Sequence, residues 1–228
     1  MTSDGSAKVL LIEDDLDLAA ALELLFAGNG CTLVHASSGE HGLRLAETDP
    51  PDVVLLDVDL PGINGPEVCR RLRTFSAVPV VFLTGATDPI DAISGFTAGG
   101  DDYVTKPFHP QLLVARVDAL LKRPHMDHDG APIRVGAVAV DTTARVVTVA
   151  GEELALTKIE YDLLACLATH LAQIMSRAQL IDQVWGTWSG DDHVVDVNIS
   201  RLRRKLTAAG ADPDLITTHR GMGYRMNR

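Results

Sequence analysis

Short apolar runs alternate with amphipathic segments through the first half of the chain. The runs predict strands near 8–12, 32–35, 53–57, 78–84 and 103–105, and the segments predict helices near 16–28, 39–47, 65–73, 90–98 and 110–122. Unbroken apolar runs of this length are typical of strands buried on both faces of a parallel sheet. Five strands, each followed by a helix, therefore indicate an α/β domain with helices on both faces of the sheet.

The pattern changes after residue 123. Residues 124–132 are polar, contain Pro and Gly and lack periodicity, which predicts a linker. Stretches rich in β-branched residues then predict short antiparallel strands at 133–140, 146–149 and 153–156. Three helices are predicted beyond them: one opened by a capping box of Thr157 and Glu160, one starting near Ser176, and one spanning about 194–208. The chain is expected to consist of an α/β domain (1–123), a linker and an α+β domain (133–228).

Charged and hydroxyl side chains stand at the ends of four predicted strands in the first domain. Glu13 and Asp14 follow the first strand, Asp57 ends the third, Thr84 ends the fourth and Lys106 follows the fifth. The carboxyl ends of parallel strands meet at one rim, where α/β sheets bind ligands, so these groups are expected to lie together. Taken alone, Asp57 could equally well cap the turn at Pro61 and Gly62. The other strand ends favour a binding site.

A cluster of carboxylates at one rim predicts a bound cation. Two like charges about 4 Å apart cost on the order of 4 kcal/mol at an effective dielectric of about 20. Hard oxygen ligands of this kind suit Mg²⁺. Lys106 and the Thr84 hydroxyl would hold an anion beside the metal, and a carboxylate can act as a nucleophile toward phosphorus. The simplest such anion is a phosphoryl group carried by Asp57.

These residues, together with Tyr103 and the sequence Lys106-Pro107-Phe108, resemble the receiver domain of two-component response regulators over residues 8–123. The resemblance implies a doubly wound, flavodoxin-like fold with strand order 2-1-3-4-5. It implies a sensor histidine kinase that phosphorylates Asp57, with Mg²⁺, or alternatively Mn²⁺, as cofactor. Asp14 and Asp57 would bind the metal directly, Glu13 would help to orient it, and the backbone carbonyl of Asp59 would be a third ligand. Thr84, Tyr103 and Lys106 would respond to the phosphoryl group.

The same resemblance implies a homodimer that forms on activation through the fourth predicted helix, the fifth strand and the fifth helix of the receiver. Asp102 and Arg116 are expected to form one charged pair of that interface. Ala92 and Leu112 stand where another such pair is customary, which weakens the expected dimer.

The last predicted helix carries two stripes of side chains. One stripe is apolar and comprises Val195, Ile199, Leu202 and Leu206. An adjoining stripe comprises Asn198, Arg201 and Lys205, with Arg204 beside it. Because Arg and Asn read guanine and adenine in a major groove, the second stripe is predicted to be exposed and to contact DNA. A merely solvated basic face is the alternative.

A glycine-containing hairpin is predicted at 217–225, with Arg220 near its tip. The stretches 156–164, 194–206 and 220–225 resemble the winged-helix effector domain of the OmpR/PhoB family, over residues 133–228. The resemblance implies a four-stranded platform, three helices and a wing. The helix at 194–205 would enter the major groove of double-stranded promoter DNA, and Arg220 would reach the adjacent minor groove. The helix carries Asn198 and Ser200 where basic residues are frequent, so the target sequence cannot be transferred.

Charge and composition limit the classes of partner. The formal net charge is −11, but residues 201–228 contain seven Lys/Arg and only two Asp/Glu, and a polyanion responds to such local charge. No apolar run is long enough to predict a membrane-spanning helix, and residues 1–6 lack the features of a signal peptide. The cysteines Cys31, Cys69 and Cys166 are far apart, as expected for core thiols of a cytoplasmic protein.

These features predict a phosphorylation-controlled transcriptional regulator with no enzymatic activity beyond its own phosphorylation and dephosphorylation. One alternative is a phosphatase of the haloacid-dehalogenase type that uses Asp57 and Asp59. Pro61 stands where that motif usually has Thr or Val, and the second domain would have no role. The other alternative is a constitutive DNA-binding protein with a vestigial receiver, which the intact acidic set disfavours.

Overall fold

The structure, a computed structural model, describes residues 6–85, 98–121, 131–186 and 192–228. Its contacts divide the chain into two compact units, Met1–Leu121 and Lys122–Arg228. Most of the predicted fourth helix, Ala92 included, and most of the predicted linker lie outside the described residues. The predicted domain boundaries at 123 and 133 therefore stay predictions.

The first unit is built on a five-stranded parallel sheet. Its strands are β1 (Ala7–Ile12), β2 (Cys31–Ala36), β3 (Val53–Asp57), β4 (Val80–Thr84) and β5 (Asp102–Thr105), in the order β2-β1-β3-β4-β5. Its described helices are α1 (Leu16–Ala27), α2 (Gly39–Thr48), α3 (Gly65–Leu72) and α4 (Pro110–Leu121). The predicted fold and strand order are confirmed, and α4 corresponds to the predicted fifth helix.

Both faces of this sheet are buried, as the unbroken apolar runs predict. Leu10, Val54 and Leu56 pack in a core that includes side chains of α2 and α3. Val9 and Leu55, which alternate with them along the strands and therefore point to the opposite face, are 0% exposed. With both faces covered, ligands can reach the sheet at its carboxyl rim.

Local signals place two helices against that rim. The Asp15 side chain accepts hydrogen bonds from the backbone N–H groups of Asp17 and Leu18, which caps α1 directly after the acidic residues that follow β1. At the start of α3, a Cβ on Gly65 would lie 2.2 Å from the backbone oxygen of Asp57. Only glycine allows α3 to begin this close to the end of β3.

The second unit combines a small sheet, three helices and a hairpin. The antiparallel sheet contains β6 (Ile133–Val135), β7 (Val138–Asp141), β8 (Val146–Val149) and β9 (Glu152–Glu153). The helices are α5 (Lys158–Thr169), α6 (Arg177–Val184) and α7 (His193–Ala208), and the hairpin pairs β10 (Ile216–His219) with β11 (Gly223–Met226). This architecture is the predicted winged helix.

Two strand predictions in this unit need correction. The predicted strand 133–140 is two strands, because Gly136 adopts a φ of 57° and reverses the chain between β6 and β7. The predicted strand 153–156 is reduced to the short β9, since Leu154 to Thr157 lead into the capped start of α5. The predicted capping box of Thr157 and Glu160 is present. None of the helices that the structure describes is long and apolar enough to cross a membrane.

Candidate functional site

Three carboxyl groups meet at the carboxyl rim of the parallel sheet. Oxygen atoms of Glu13, Asp14 and Asp57 lie within 4.8 Å of one another. Glu13 is 1% exposed and Asp57 is 4% exposed, whereas Asp14 is open to solvent. The rim therefore brings together the acidic residues that the strand ends predicted.

Lys106 inserts its ammonium group between two of these carboxylates. Its Nζ lies 2.7 Å from Oε2 of Glu13 and 3.2 Å from Oδ1 of Asp57. The Lys106 backbone N–H donates to the carbonyl of Thr84 over 2.6 Å, so the lysine is anchored to the end of β4. Lys106 thus offsets part of the negative charge that the buried carboxylates would otherwise leave uncompensated.

The pKa values of the pair reflect these opposing influences. Burial raises the pKa of Glu13, the hydrogen bond from Lys106 opposes this, and the charge of Asp57 raises the pKa further. Burial alone would lower the pKa of Lys106, but its contacts with Glu13 and Asp57 together raise that pKa above its ordinary value. Lys106 is therefore a permanent cation beside Asp57.

The donor set fits a hard divalent cation. Mg²⁺ prefers oxygen ligands, usually one or two carboxylates together with waters. Asp14 and Asp57 supply the carboxylates, and the solvent exposure of Asp14 leaves room for waters. Asp59 lies exposed in the bend after β3, and its backbone carbonyl stays a predicted ligand.

The predicted switch residues surround the same rim. Thr84 ends β4, is 2% exposed and is paired in register with Thr105, directly before Lys106. Tyr103 is half-buried in β5, opposite Phe82 of β4. Their placement agrees with the predicted roles, which depend on a phosphoryl group and stay predictions.

Sequence reasoning missed one residue that holds the acidic loop. A ring nitrogen of His35, Nε2, donates to the backbone carbonyl of Glu13 over 2.7 Å, and the Glu13 N–H donates to the carbonyl of Ala36 over 3.0 Å. The edge strand β2 thereby fixes both backbone groups of Glu13. The sequence offers no signal for this contact, because a single His in a strand most often has no such partner.

The predicted dimer pair is a pair within one chain. Nη1 of Arg116 lies 2.8 and 3.0 Å from the two carboxylate oxygens of Asp102. Asp102 is 1% exposed and Arg116 is 7% exposed, so the expectation that they are exposed is wrong for this chain, while their role in a dimer stays a prediction. Burial raises the pKa of Asp102 to about 6, against the opposing charge of Arg116.

The predicted exposed stripe of α7 is also wrong in its placement. Asn198 is 0% exposed and its Nδ2 donates to the carbonyl of Val194 over 3.0 Å. Arg201 is 6% exposed and donates through Nη1 to Oδ1 of Asn198 over 3.1 Å. Both residues face inward because α7 packs against α5 as well as α6.

A buried carboxylate of α5 explains why these polar side chains point inward. Glu160, the capping-box residue, is 0% exposed. Its Oε2 accepts a 2.6 Å bond from Nζ of Lys205, and its Oε1 lies 3.5 Å from Nη2 of Arg201. Burying an ion is costly unless it is paired, so Arg201 and Lys205 direct their charged ends to Glu160.

The surface that α7 presents to solvent is a different stripe. His193, Ser200 and Arg204 are exposed and Val197 is partly exposed, at positions i, i+7, i+11 and i+4. Of the predicted DNA-binding residues of this helix, Arg204 is therefore the one that the structure exposes fully, while Lys205 is partly exposed. Arg220 is exposed at the tip of the β10–β11 hairpin, next to Met222, which is 60% exposed.

Comparison with protein families accounts for both units. Residues 9–118 match the response regulator receiver domain, and residues 151–226 match the C-terminal domain of transcriptional regulatory proteins. The chain is 41% identical over 219 residues to the DNA-binding response regulator MtrA of Mycolicibacterium smegmatis, with 96% of each chain covered. This protein belongs to the OmpR/PhoB family of response regulators.

Further relatives of this response regulator agree. It is 42% identical over 221 residues to the transcriptional regulatory protein AfsQ1 of Streptomyces coelicolor, covering 96% of this chain and 97% of that one. Its structure is similar to that of a RitR mutant, with a TM-score of 0.79 and 28% identity over 97% of this chain and 99% of that one. It is also similar to DrrB, a Thermotoga maritima OmpR/PhoB homologue, with a TM-score of 0.52 and 30% identity over 98% and 100% of the two chains.

The response regulator is therefore a DNA-binding transcriptional regulator of a two-component system, whose partners are a histidine kinase and DNA. The phosphatase alternative is not favoured, because relatives that match the whole chain carry the names of DNA-binding regulators.

Proposed function

We propose that this cytoplasmic response regulator accepts a phosphoryl group on Asp57. The observation that carries the proposal is the meeting of Glu13, Asp14 and Asp57 within 4.8 Å, with Lys106 bonded to two of them. A carboxylate oxygen of Asp57 attacks the phosphorus atom, a bond to phosphorus forms, and the bond to the donor's nitrogen or oxygen breaks. The departing group keeps that electron pair.

Each neighbouring residue has a separate part in this step. Asp14 and Asp57, with the carbonyl of Asp59, would bind Mg²⁺, and Glu13 would orient it. The ion, or Mn²⁺ in its place, would supply charge that neutralises the transferring group. Lys106 holds a positive charge 3.2 Å from Asp57, where the new phosphoryl oxygens arise. Thr84 and Tyr103 would then reposition around the phosphoryl group.

Phosphotransfer is tested with an acyl phosphate donor and Mg²⁺. The parent should be labelled stoichiometrically, and Asp57→Asn should not be labelled because its amide cannot attack phosphorus. Asp59→Asn is the matched control and should be labelled like the parent. Its side chain is exposed, and only the backbone carbonyl of residue 59 is assigned to the metal. Equal labelling of Asp57→Asn would refute the assignment, and continuous release of phosphate that depends on the Asp59 carboxylate would favour a phosphatase.

We propose that the exposed stripe of α7, above all Ser200 and Arg204, reads bases of promoter DNA in the major groove. Arginine binds guanine O6 and N7 in a bidentate manner, and Ser can bond to either base of a pair. Arg220 at the hairpin tip would bind the adjacent minor groove or a phosphate. Asn198, Arg201 and Lys205 would act by holding the helix rather than by reading bases.

Activation would join two receivers through the region of β5 and α4. In that state the pair of Asp102 and Arg116 would open and re-form between molecules, since the structure closes it within one chain. Sedimentation of the full chain with and without phosphoryl donor tests this. A phosphorylated protein that remains monomeric would contradict it.

A further inference from the structure

Two side chains of α7, Asp196 and Arg203, lie two turns apart and bond to the hairpin. Asp196 accepts a hydrogen bond on Oδ1 from the Tyr224 hydroxyl, over 2.6 Å, and another from Nε of Arg177, over 2.7 Å. Arg203 donates through Nε to the carbonyl of Ile216 over 2.8 Å and through Nη2 to Oγ1 of Thr218 over 3.0 Å. The helix is thus bonded to both strands of the hairpin.

Tyr224 lies at the centre of these contacts. Its ring lies 5.4 Å from the guanidinium carbon of Arg177 and 5.5 Å from that of Arg203. Its backbone N–H and carbonyl pair with Met175 over 2.9 and 2.8 Å. Burial raises the pKa of Tyr224 to about 12, so its hydroxyl keeps the proton that it donates to Asp196.

The tip of the hairpin, by contrast, is exposed to solvent. Arg220 and Met222 are exposed, and a two-stranded hairpin is only marginally stable without packing partners. The direction in which Arg220 points therefore depends on how β10 and β11 are held. Thr218 and Tyr224, which are paired in register, each bond through their side chain to a residue of α7.

We propose that Tyr224, Asp196 and Arg177 are positioning residues that fix the hairpin relative to the exposed stripe of α7. They would set the separation between the base contacts of the helix and the contact of Arg220. This inference rests on the proposed DNA interface. It identifies the residues that couple the contacts of α7 to the contact of Arg220.

Substitutions of Tyr224 and Arg220 should therefore have coupled effects on DNA affinity, although Tyr224 positions the hairpin and Arg220 contacts the DNA. Tyr224→Phe keeps the ring and removes the hydrogen bond to a charged acceptor, which should lower affinity for a matched site about tenfold. In that variant Arg220 is no longer aimed at the DNA. The affinity loss caused by Arg220→Ala should then be at least threefold smaller than in the parent.

A double-mutant cycle on the full chain tests this, with DNA selected from a random-sequence pool as the probe. Tyr161→Phe is the matched control, because it removes a hydroxyl that bonds the carbonyl of Asp141 at 3.2 Å and should be additive with Arg220→Ala. Asp196→Asn keeps an oxygen acceptor for Tyr224 and should retain more of the coupling than Asp196→Ala.

The two ways of failing can be distinguished. If Arg220→Ala weakens binding equally in the parent and in Tyr224→Phe, the coupling is absent and the inference is overturned while the interface stands. If Arg220→Ala has no effect in the parent, the proposed interface itself is refuted, and this inference with it. Unfolding midpoints of Tyr224→Phe and Tyr161→Phe show whether a loss of affinity follows from stability alone, which would also overturn the inference.

Discussion

Lys106 joins the acidic rim to the end of β4. Its ammonium contacts Glu13 and Asp57, and its backbone is bonded to Thr84 at the end of β4. A phosphoryl group on Asp57 would carry about −1.5 to −2 charges beside it, in place of the single charge of the carboxylate. The lysine is therefore placed to convert a change of charge into a change in the loop that follows β5.

Lys106→Ala should still accept phosphate, because Asp57 and the acidic residues remain. It should not gain DNA affinity on phosphorylation, because no cation ties the phosphoryl group to that loop. Lys8→Ala is the matched control, since Lys8 pairs with Asp49 near the opposite end of β1 and should respond as the parent does. Labelling and DNA binding are measured on the same samples, and a normal gain in affinity by Lys106→Ala would contradict the role.

Asp102 should make stability depend on pH. Its pKa is raised to about 6 in the folded state, mainly by burial, whereas it is near 3.8 when unfolded. The folded state therefore holds the extra proton between about pH 4 and pH 6, and stability from this group is present below that window and lost as pH rises through it.

The stability of the parent relative to Asp102→Asn should accordingly fall between pH 4 and pH 6, by on the order of 1–3 kcal/mol. Chemical unfolding of both proteins at several pH values measures this difference in stability. The contributions of the other carboxylates cancel because both proteins contain them. If the stability difference between the parent and Asp102→Asn is constant or grows with pH, then the charge of Arg116, and not burial, determines the pKa of Asp102.

The grouping of residues at the receiver rim could be predicted from the sequence, whereas the orientation of α7 could not. Any parallel sheet places its strand ends at one rim, so Glu13, Asp57 and Thr84 could be grouped without knowing their side-chain contacts. The orientation of Arg201 depends on Glu160, a partner on another helix. Periodicity identifies the apolar stripe of α7, but it does not say that the neighbouring polar stripe is buried against a carboxylate.

Arg201 and Arg204, two of the three arginines of α7, should therefore differ in effect. Arg204→Ala should cost about 1–3 kcal/mol of binding free energy and relax preference at one base position, because the side chain is exposed. Arg201→Ala should lower the free energy of unfolding, because it removes a buried partner of Glu160. Unfolding curves and binding to single-base variants of a matched site separate these effects. Loss of base preference in Arg201→Ala at unchanged stability would restore the reading role of that residue.

The chain combines an acidic receiver with a regulator domain whose C-terminal end is basic. Residues 201–228 contain seven Lys/Arg and two Asp/Glu within a chain of net charge −11. Net charge alone would oppose binding to DNA, whereas the local positive charge of the last elements favours it. Moving a two-state balance from 1:99 to 99:1 takes about 5.5 kcal/mol, which a buried phosphoryl group paired with Lys106 and a metal would have to supply.

Phosphorylation of Asp57 is proposed to control DNA binding by the full chain. The most direct test measures the affinity of the parent and of Asp57→Asn for a selected DNA site, before and after treatment with an acyl phosphate and Mg²⁺. The parent should gain at least tenfold in affinity, equivalent to about 1.4 kcal/mol, and Asp57→Asn should not change. An equal gain in Asp57→Asn, or no gain in a fully labelled parent, would contradict the account.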